Sequence, residues 1–165
     1  MIETERLRLE PLSRAHLEPW TRFMLDGEAR AGLHTPDPAD SADAAAAGLD
    51  RFVEVGEMYA LVVRDTGDVA GFSGFVPRQL EWGDELELGW MVMLDQRRRG
   101  YATEAARALR ASRTGRVISL IREDNPASQG VAAGIGAERE RVFEYWGYET
   151  GVWVSQNDTA TRSMS

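Results

Sequence analysis

Residues 95–105 read DQRRRGYATEA, which is three consecutive arginines followed by a glycine and a helix-forming run. A helix N-terminus presents unpaired N–H groups and a positive dipole end, and together these bind a phosphate group. Gly100 lets the backbone approach such a ligand closely, because glycine has no Cβ. The stretch therefore predicts a phosphate-binding loop; a solvated basic turn and a nucleic-acid-binding patch are the alternatives.

Two elements must position this loop. The run ELELGWMVML at residues 85–94 predicts a central strand that ends directly before it, and residues 101–111 predict the helix that follows. The run RVISLI predicts another strand, and NPASQGVAAG predicts a short helix with Asn125 as a candidate N-cap and Pro126 in its first turn. This strand–helix–strand order predicts one parallel pair of strands.

The remaining segments complete a mixed arrangement. We predict a strand within residues 2–12, helices near residues 14–25 and 42–55, a hairpin around DTGD at residues 65–68, and two late strands. This order is typical of an α+β (mixed α/β) fold. We place a single domain at residues 1–155 and a polar C-terminal tail at residues 156–165.

Composition narrows the function classes. The chain has no cysteine, and its only histidines are His16 and His34, so we expect no metal site. A net charge of −8 argues against nucleic acid as a partner and favours a cationic one, such as an amine or a basic peptide. Neither a membrane span nor a signal peptide is apparent, so we expect a cytoplasmic protein with no membrane partner.

The stretch RRRGYA resembles the R/Q-x-x-G-x-G/A signature of the GNAT N-acetyltransferases. The segments RLRLEPL, DTGDVAGFSGF, ELELGWMV, RRRGYATEAARAL and NPASQGVAAGIGA occur in family order and resemble the RimJ/RimL-like branch. The resemblance covers roughly residues 2–155. It implies a central, mostly antiparallel sheet of six to seven strands with one splayed parallel pair, flanked by about four helices.

The resemblance also implies acetyl-CoA as the cosubstrate. The backbone N–H groups that would hold its pyrophosphate are those of Arg97, Arg98, Arg99, Gly100, Tyr101, Ala102 and Thr103. The pantetheine arm would pair with the preceding strand at Met91, Val92 and Met93, in the manner of an added strand. The N–H near Val92 would hold the thioester oxygen.

For catalysis, the resemblance implies three residues. Glu87 matches a glutamate that serves as general base. Asn125 matches an asparagine that contacts CoA. Ser128 matches a serine that contacts CoA and is available to protonate the leaving thiolate. Glu87 could equally be an outward-facing strand residue, Asn125 only an N-cap, and Ser128 an ordinary first-turn serine. Two departures stand out: the helix after the fifth strand lacks the tyrosine that many members use, and Arg98 occupies a position where the branch usually has glycine.

The resemblance leads to one expected activity and one alternative without catalysis. We expect transfer of the acetyl group of acetyl-CoA to a primary amine, either a protein N-terminus or a small molecule, by direct attack in a ternary complex. The alternative is a non-catalytic acyl-CoA-binding or sensing module, which the missing tyrosine motivates. The acceptor and the oligomeric state stay open at this point, a homodimer being one candidate assembly.

Overall fold

The computed structural model describes residues 1–159, and its central feature is one sheet of eight strands. The strands are β1 (Ile2–Glu3), β2 (Leu7–Pro11), β3 (Glu57–Val63), β4 (Val69–Leu80), β5 (Gly83–Val92), β6 (Gly115–Arg122), β7 (Glu138–Tyr145) and β8 (Tyr148–Asn157). The helices are α1 (Leu17–Met24), α2 (Gly27–Arg30), α3 (Ala42–Val55), α4 (Tyr101–Ala111) and α5 (Pro126–Gly134). The spatial order is β1-β2-β3-β4-β5-β6-β8-β7, with only β5 and β6 parallel among these strands. The predicted mixed α+β class with one parallel pair is confirmed.

The sheet has one strand more than the largest number predicted, because the first predicted strand is divided by a turn at Thr4. The Thr4 hydroxyl accepts a hydrogen bond from the Leu7 N–H at 3.0 Å, and the Thr4 N–H donates to the Leu7 carbonyl at 2.9 Å. A threonine side chain that bonds to nearby backbone in this way stabilises a turn over a continuous strand. The turn folds β1 back as an antiparallel neighbour of β2.

Helices cover both faces of the sheet. On one face, α1 and α3 bury Trp20, Phe23 and Leu49 against Ala60 and Phe72 of the sheet. The indole of Trp20 is fully buried, and its N–H donates to the carbonyl of Ala45 at 2.9 Å, which satisfies its one polar atom. This contact fixes α1 against α3 on that face.

On the other face, α4 packs along the sheet. Its residues Ala105, Ala106 and Leu109 are fully buried against Leu61 and Leu88. The spacing of three and four residues places all three side chains on one side of the helix. Helix α4 is thereby held with its N-terminus at the end of β5.

The parallel pair is splayed. Within residues 1–159, β5 and β6 share a single register pair, Glu87 with Ile118, supported by a hydrogen bond from the Ser119 hydroxyl to the Leu88 carbonyl at 2.7 Å. Strand β4, on the other side, stays paired with β5 as far as Val92. The end of β5 therefore has a free edge on the side that faces β6.

Strand β8 runs to Asn157, so residues 156 and 157 belong to the sheet and not to the polar tail in which we had placed them. They pair with Arg116 and Gly115 of β6, and this pairing outweighs their polar character. Residues 160–165 of the predicted tail lie outside the described residues, and the single-domain boundary stays a prediction. Among residues 1–159, no helix is both long and apolar enough to cross a membrane.

Candidate active site

The loop between β5 and α4 presents a cluster of backbone N–H groups without acceptors. Gly100 is the N-cap of α4 in the left-handed conformation, with φ of +81°, and no side chain caps the helix. The first helix N–H that finds an acceptor is that of Glu104, which donates to the Gly100 carbonyl at 3.0 Å. Within the described chain, the N–H groups of residues 98–103 donate to no protein acceptor. Such a cluster at a helix N-terminus is suited to bind a phosphate group.

The side chains that begin α4 are occupied elsewhere. The ring of Tyr101 is buried in the core, and Ala102 is half-buried. The methyl group of Thr103 packs against α5 at Gly134, where a Cβ would lie 3.0 Å from it. These three residues therefore offer an anion mainly their backbone N–H groups.

The three arginines of the loop do different things. Arg97 donates to the carbonyls of Val92, at 3.1 Å, and of Ala29, at 2.7 Å, and so ties the loop to β5 and α2. Arg99 donates to a carbonyl of the preceding turn at 3.4 Å. Arg98 has a φ of +63°, a conformation that suits glycine and costs other residues about 1 kcal/mol or more. This explains why a glycine is usual at this position in the branch that the sequence resembles.

A fourth arginine, which the sequence did not reveal, supports the loop from the turn that precedes β2. The Arg6 side chain donates to the Arg99 carbonyl at 2.7 Å, forms an ion pair with Glu104 at 3.3 Å, and lies over the ring of Tyr101. A Cβ at Gly100 would lie 3.2 Å from its guanidinium. The loop is therefore held in its left-handed turn by a residue more than 90 positions away in sequence.

The free edge of β5 is adjacent to this loop. Met93 donates its N–H to the Ala70 carbonyl at 2.8 Å, towards β4. Since N–H groups alternate along an antiparallel ladder, Met91 also faces β4, whereas Trp90 and Val92 turn their N–H groups to the open side. Of the three strand residues predicted to contact the pantetheine arm, Val92 is thus the one that directs its N–H into the gap.

A cavity of about 530 Å³ extends from this gap towards the helices of the first half of the chain. It brings together Glu87 and Trp90 of β5, Ser119 of β6, and Asn125 and Ser128 of α5. All three predicted catalytic residues line it.

Glu87 is held in an unusual environment within the cavity. Its carboxylate accepts a hydrogen bond from the Arg78 guanidinium at 2.6 Å, and its side chain is 14% exposed. Burial raises the pKa of Glu87 above the ordinary glutamate value, although Arg78 acts in the opposite direction. Glu85, on the same face of β5, is instead bound to Arg116 and does not line the cavity. Of these two glutamates, only Glu87 is available to a substrate.

Asn125 and Ser128 form the start of α5. The Asn125 side-chain oxygen accepts the Ser128 N–H at 3.2 Å, so the predicted N-cap is confirmed. The Asn125 amide nitrogen donates to the carbonyl of Gly32 at 3.3 Å. The Ser128 hydroxyl accepts from the indole N–H of Trp90 at 3.2 Å. Because that contact uses an acceptor site, the hydroxyl proton of Ser128 is free to be donated.

Part of the cavity wall is built from a loop and a late hairpin, and sequence reasoning missed the contribution of the loop residue His34. His34 bonds to Thr150 at 2.8 Å and packs edge-on against Tyr145. Burial, together with Arg122 and Arg78, lowers the pKa of His34 to about 4. Trp146, at the tip of the β7–β8 hairpin, is 67% exposed and has a φ of +52°. The aromatic residues and the Trp-Gly turn were visible in the sequence, but His34 had no local signal.

Known proteins resemble this chain over most of its length. The family described as "Acetyltransferase (GNAT) domain" matches residues 6–138. The acetyltransferase from Agrobacterium tumefaciens str. C58 is 27% identical, with a TM-score of 0.76 over 94% of each chain. RimL, the ribosomal L7/L12 alpha-N-protein acetyltransferase solved in complex with coenzyme A, shares the fold at 18% identity, with a TM-score of 0.79 over 94% of this chain and 96% of that one.

A sequence relative is the uncharacterized protein YkkB of Bacillus subtilis (strain 168), 33% identical over 93 residues. That alignment spans 53% of this chain and about half, 54%, of the relative. Among residues 1–159, no group of three or more His, Cys, Asp or Glu side chains could hold a metal ion. The family match covers most of the chain and agrees with the splayed parallel pair and the loop of free N–H groups, so the chain belongs to the GNAT acetyltransferase family.

Proposed function

We propose that this protein is an N-acetyltransferase that uses acetyl-CoA to acetylate a primary amine. The observation that carries the proposal is the row of free N–H groups at residues 98–103, which lies next to the free edge of β5 and opens towards Glu87. The N–H groups suit a pyrophosphate, and the strand edge suits an arm that carries amide groups. The carboxylate suits an amine that must lose a proton.

The chemistry of the step requires a base and a proton donor. A primary alkyl ammonium has a pKa of about 10 and must be deprotonated before it can attack. Glu87 accepts that proton, and the raised pKa of its buried carboxyl brings the acid and base forms closer to neutral pH. Bound acetyl-CoA supplies the activated thioester. The Val92 N–H hydrogen-bonds the thioester oxygen as negative charge develops on it.

Formation of the new C–N bond breaks the C–S bond. Ser128 donates its hydroxyl proton to the departing sulfur and recovers a proton from solvent, and the second nitrogen proton is released to solvent. The hydrogen bond from Trp90 orients the Ser128 hydroxyl for this role. Asn125 fixes the start of α5, and therefore the position of Ser128, through its N-cap. The step yields the acetamide, free CoA and one proton.

Two observations favour a second candidate, an acyl-CoA-binding module without catalysis. Helix α5 carries no tyrosine, and the carboxylate of Glu87 is already engaged by Arg78 at 2.6 Å. If that ion pair persisted with every acceptor, the amine would keep its proton and no transfer would occur. The two candidates share the cosubstrate site and differ in turnover.

One experiment separates the two candidates. Binding of acetyl-CoA is measured by titration calorimetry, and thiol release is then followed with a panel of small amines, amino acids and peptides with free N-termini. Acetylated products are identified by mass spectrometry. Binding with turnover supports the acetyltransferase, binding without any product supports the sensing module, and absence of binding contradicts both.

Matched variants locate the base. Glu87→Gln should lose thiol release, whereas Glu85→Gln, on the same strand face but ion-paired with Arg116 outside the cavity, should keep it. A Glu87→Gln protein that turns over at the wild-type rate would remove Glu87 from this role. The panel includes peptides because RimL, which shares this fold, is named as an N-protein acetyltransferase.

A further inference from the structure

The cavity beside Glu87 carries more positive than negative side chains, although the chain as a whole has a net charge of −8. Its lining includes four arginines and two carboxylates: Arg30, Arg51, Arg78, Arg122, Asp40 and Glu87. The pKa of His34, lowered to about 4, leaves that ring neutral, and the nearby arginines contribute to the lowering. The local field therefore favours a ligand with a negative group, contrary to what the total charge suggests.

Three of these arginines already have partners. Arg78 is paired with Glu87, and Arg122 makes a two-point contact with Asp124 at 2.6 and 2.8 Å. Arg30 is buried and donates to the backbone carbonyls of Thr35 and Asp37, and the Asp37 carboxylate acts on its charge from nearby. These contacts keep the three guanidinium groups in fixed positions.

Arg51 differs from the other three. It extends from α3, is exposed, and forms no ion pair or hydrogen bond with any residue in the range 1–159. Gly48 lies one helical turn before Arg51, and a Cβ built on Gly48 serves as a common reference point. One terminal nitrogen of Arg51 lies 3.9 Å from that Cβ position, and the indole nitrogen of Trp20 lies 4.0 Å from it. The guanidinium thus folds over the glycine towards the cavity wall. An unpaired, planar guanidinium with several free donors is suited to bind a carboxylate or a phosphate.

The wall near Arg51 is apolar and aromatic. Trp20 packs edge-to-face against Phe52 and Phe72, at centroid distances of 5.5 and 5.1 Å, and all three residues line the cavity. Asp40 is the other lining carboxylate, but it precedes α3, whereas Arg51 lies 11 residues further on. Arg51 lies nine residues beyond Ala42, the first residue of α3, and this places it about 14 Å along the helix axis from the end that Asp40 precedes. A ligand can reach Arg51 without meeting Asp40.

We propose that the acceptor is a small primary amine with an anionic group at the far end of an apolar body, and that Arg51 binds this group. The inference rests on the proposed function, since the amine end must reach Glu87. It adds the chemical class of the acceptor: an amino carboxylate or a related anion, in preference to a polyamine. The apolar body lies along Phe52, which is partly exposed and is supported from beneath by the fully buried ring of Trp20.

The test compares three straight-chain amines of matched length: aminohexanoate, aminohexanamide and hexanediamine. The reacting amine of the acid and of the amide has nearly the same basicity, because the other end is distant, so a difference in kcat/KM reports binding of the carboxylate. We expect aminohexanoate to exceed the amide by about tenfold or more, the effect of one charge-assisted contact, and to exceed the diamine further.

Arg51→Met should bring the ratio of aminohexanoate to aminohexanamide close to unity. Arg22→Met is the matched control, because Arg22 is an exposed arginine on α1 that pairs with Glu18 and does not line the cavity. The control variant should keep the wild-type ratio. Titration calorimetry of aminohexanoate into the CoA-saturated protein gives a second readout that does not depend on turnover, and Arg51→Met should weaken this binding by a similar factor.

The outcomes separate this inference from the function on which it rests. Acetylation of the diamine or the amide at least as fast as the acid would overturn the anionic acceptor but leave the acetyltransferase intact. The anionic acceptor would also be overturned if Arg51→Met kept the wild-type preference for aminohexanoate over aminohexanamide. Faster turnover of a peptide than of every small amine would overturn it as well. Absence of product with every amine and peptide would instead contradict the proposed function itself.

Discussion

Replacing Gly100 with valine would separate the role of the left-handed turn in stability from its role in CoA binding. Gly100 has a φ of +81°, and a Cβ there would lie 3.2 Å from the Arg6 guanidinium. A β-branched residue is strongly disfavoured at such an angle. We expect the backbone of the Gly100→Val variant to move away from this conformation and to turn the N–H groups of residues 98–103 out of register.

The structure sets the size of both effects. The strain of a left-handed, non-glycine residue is about 1–2 kcal/mol, and this bounds the loss in free energy of unfolding. A charge-assisted hydrogen bond contributes about 1.5–3 kcal/mol, so misalignment of a single N–H would weaken CoA binding by roughly tenfold to a hundredfold. Arg6 is a flexible side chain that can withdraw, so its contact adds little to the strain.

Gly115, the first residue of β6, offers a matched control beyond the other end of α4. Its φ is +83°, and no atom lies within 4 Å of the Cβ position, so valine there meets the same backbone strain without steric contact. Helix α4, which has 11 residues and is about 16 Å long, lies between the two sites in the chain. Urea denaturation measures the free energy of unfolding of both variants, and calorimetry measures their affinity for CoA.

We expect both variants to lose a similar free energy of unfolding and only Gly100→Val to lose CoA affinity. If Gly100→Val binds CoA as the wild type does, the pyrophosphate does not rest on this turn. If Gly115→Val loses affinity equally, the loss reflects general loosening of α4. Either result would refute the reasoning.

Three further variants probe the rest of the site. Burial raises the pKa of Glu87, so the carboxylate that acts as base is protonated as the pH falls through a value above the ordinary glutamate range. We expect kcat/KM to decline in that pH range. The residual activity of Glu87→Gln, measured over the same pH series, should not show this decline. Ser128→Ala should lower kcat by up to about a hundredfold while leaving CoA affinity nearly unchanged in calorimetry, and an unchanged kcat would assign the thiolate proton to water. Arg6→Met should weaken CoA binding by about three- to tenfold. Arg8→Met, two residues further on in β2 and paired with Glu10, should not; equal losses would mean that Arg6 does not act on the loop.

Nearby residues in the sequence were sufficient to predict the bounds of helices whose ends are marked by capping residues or glycines. Helix α3 begins and ends at the predicted residues, because Ser41 caps it and Gly56 follows it. Helix α4 also has its predicted bounds, since Gly100 marks its start. At α5, Asn125 and Pro126 together fixed the first turn. In each case the signal lies within a few residues of the boundary that it sets.

The contacts that shape the site depend on chain segments that meet only in the folded state. Arg6 reaches the loop from the turn before β2, and no feature of RLRLEPL indicates this. The pairing of Arg78 with Glu87 follows from the register of the β4–β5 hairpin, which places Val76 opposite Glu87. That register could have been estimated from the turn at residues 81–82, but the direction of the arginine side chain could not.

Total charge was a poor guide to the charge of the cavity. The acidic residues are spread over the outer surface, as on the edge strand β7, where Glu138 and Glu140 are exposed. The arginines of the cavity come from α2, α3, β4 and β6, which are distant in sequence. A sum over the chain contains no information about which charges the fold brings together.

The single register pair between β5 and β6 divides the sheet into two blocks, β1 to β5 and β6 to β8, that share one rung of the ladder. If the pantetheine arm occupies the free edge of β5, the cosubstrate supplies hydrogen bonds between the two blocks that the polypeptide itself lacks. Ligand at a hundred times its dissociation constant would then add about 2.7 kcal/mol to the free energy of unfolding. The folded protein would then resist unfolding better with this ligand bound than without it, and a thermal or urea unfolding curve would shift with its concentration.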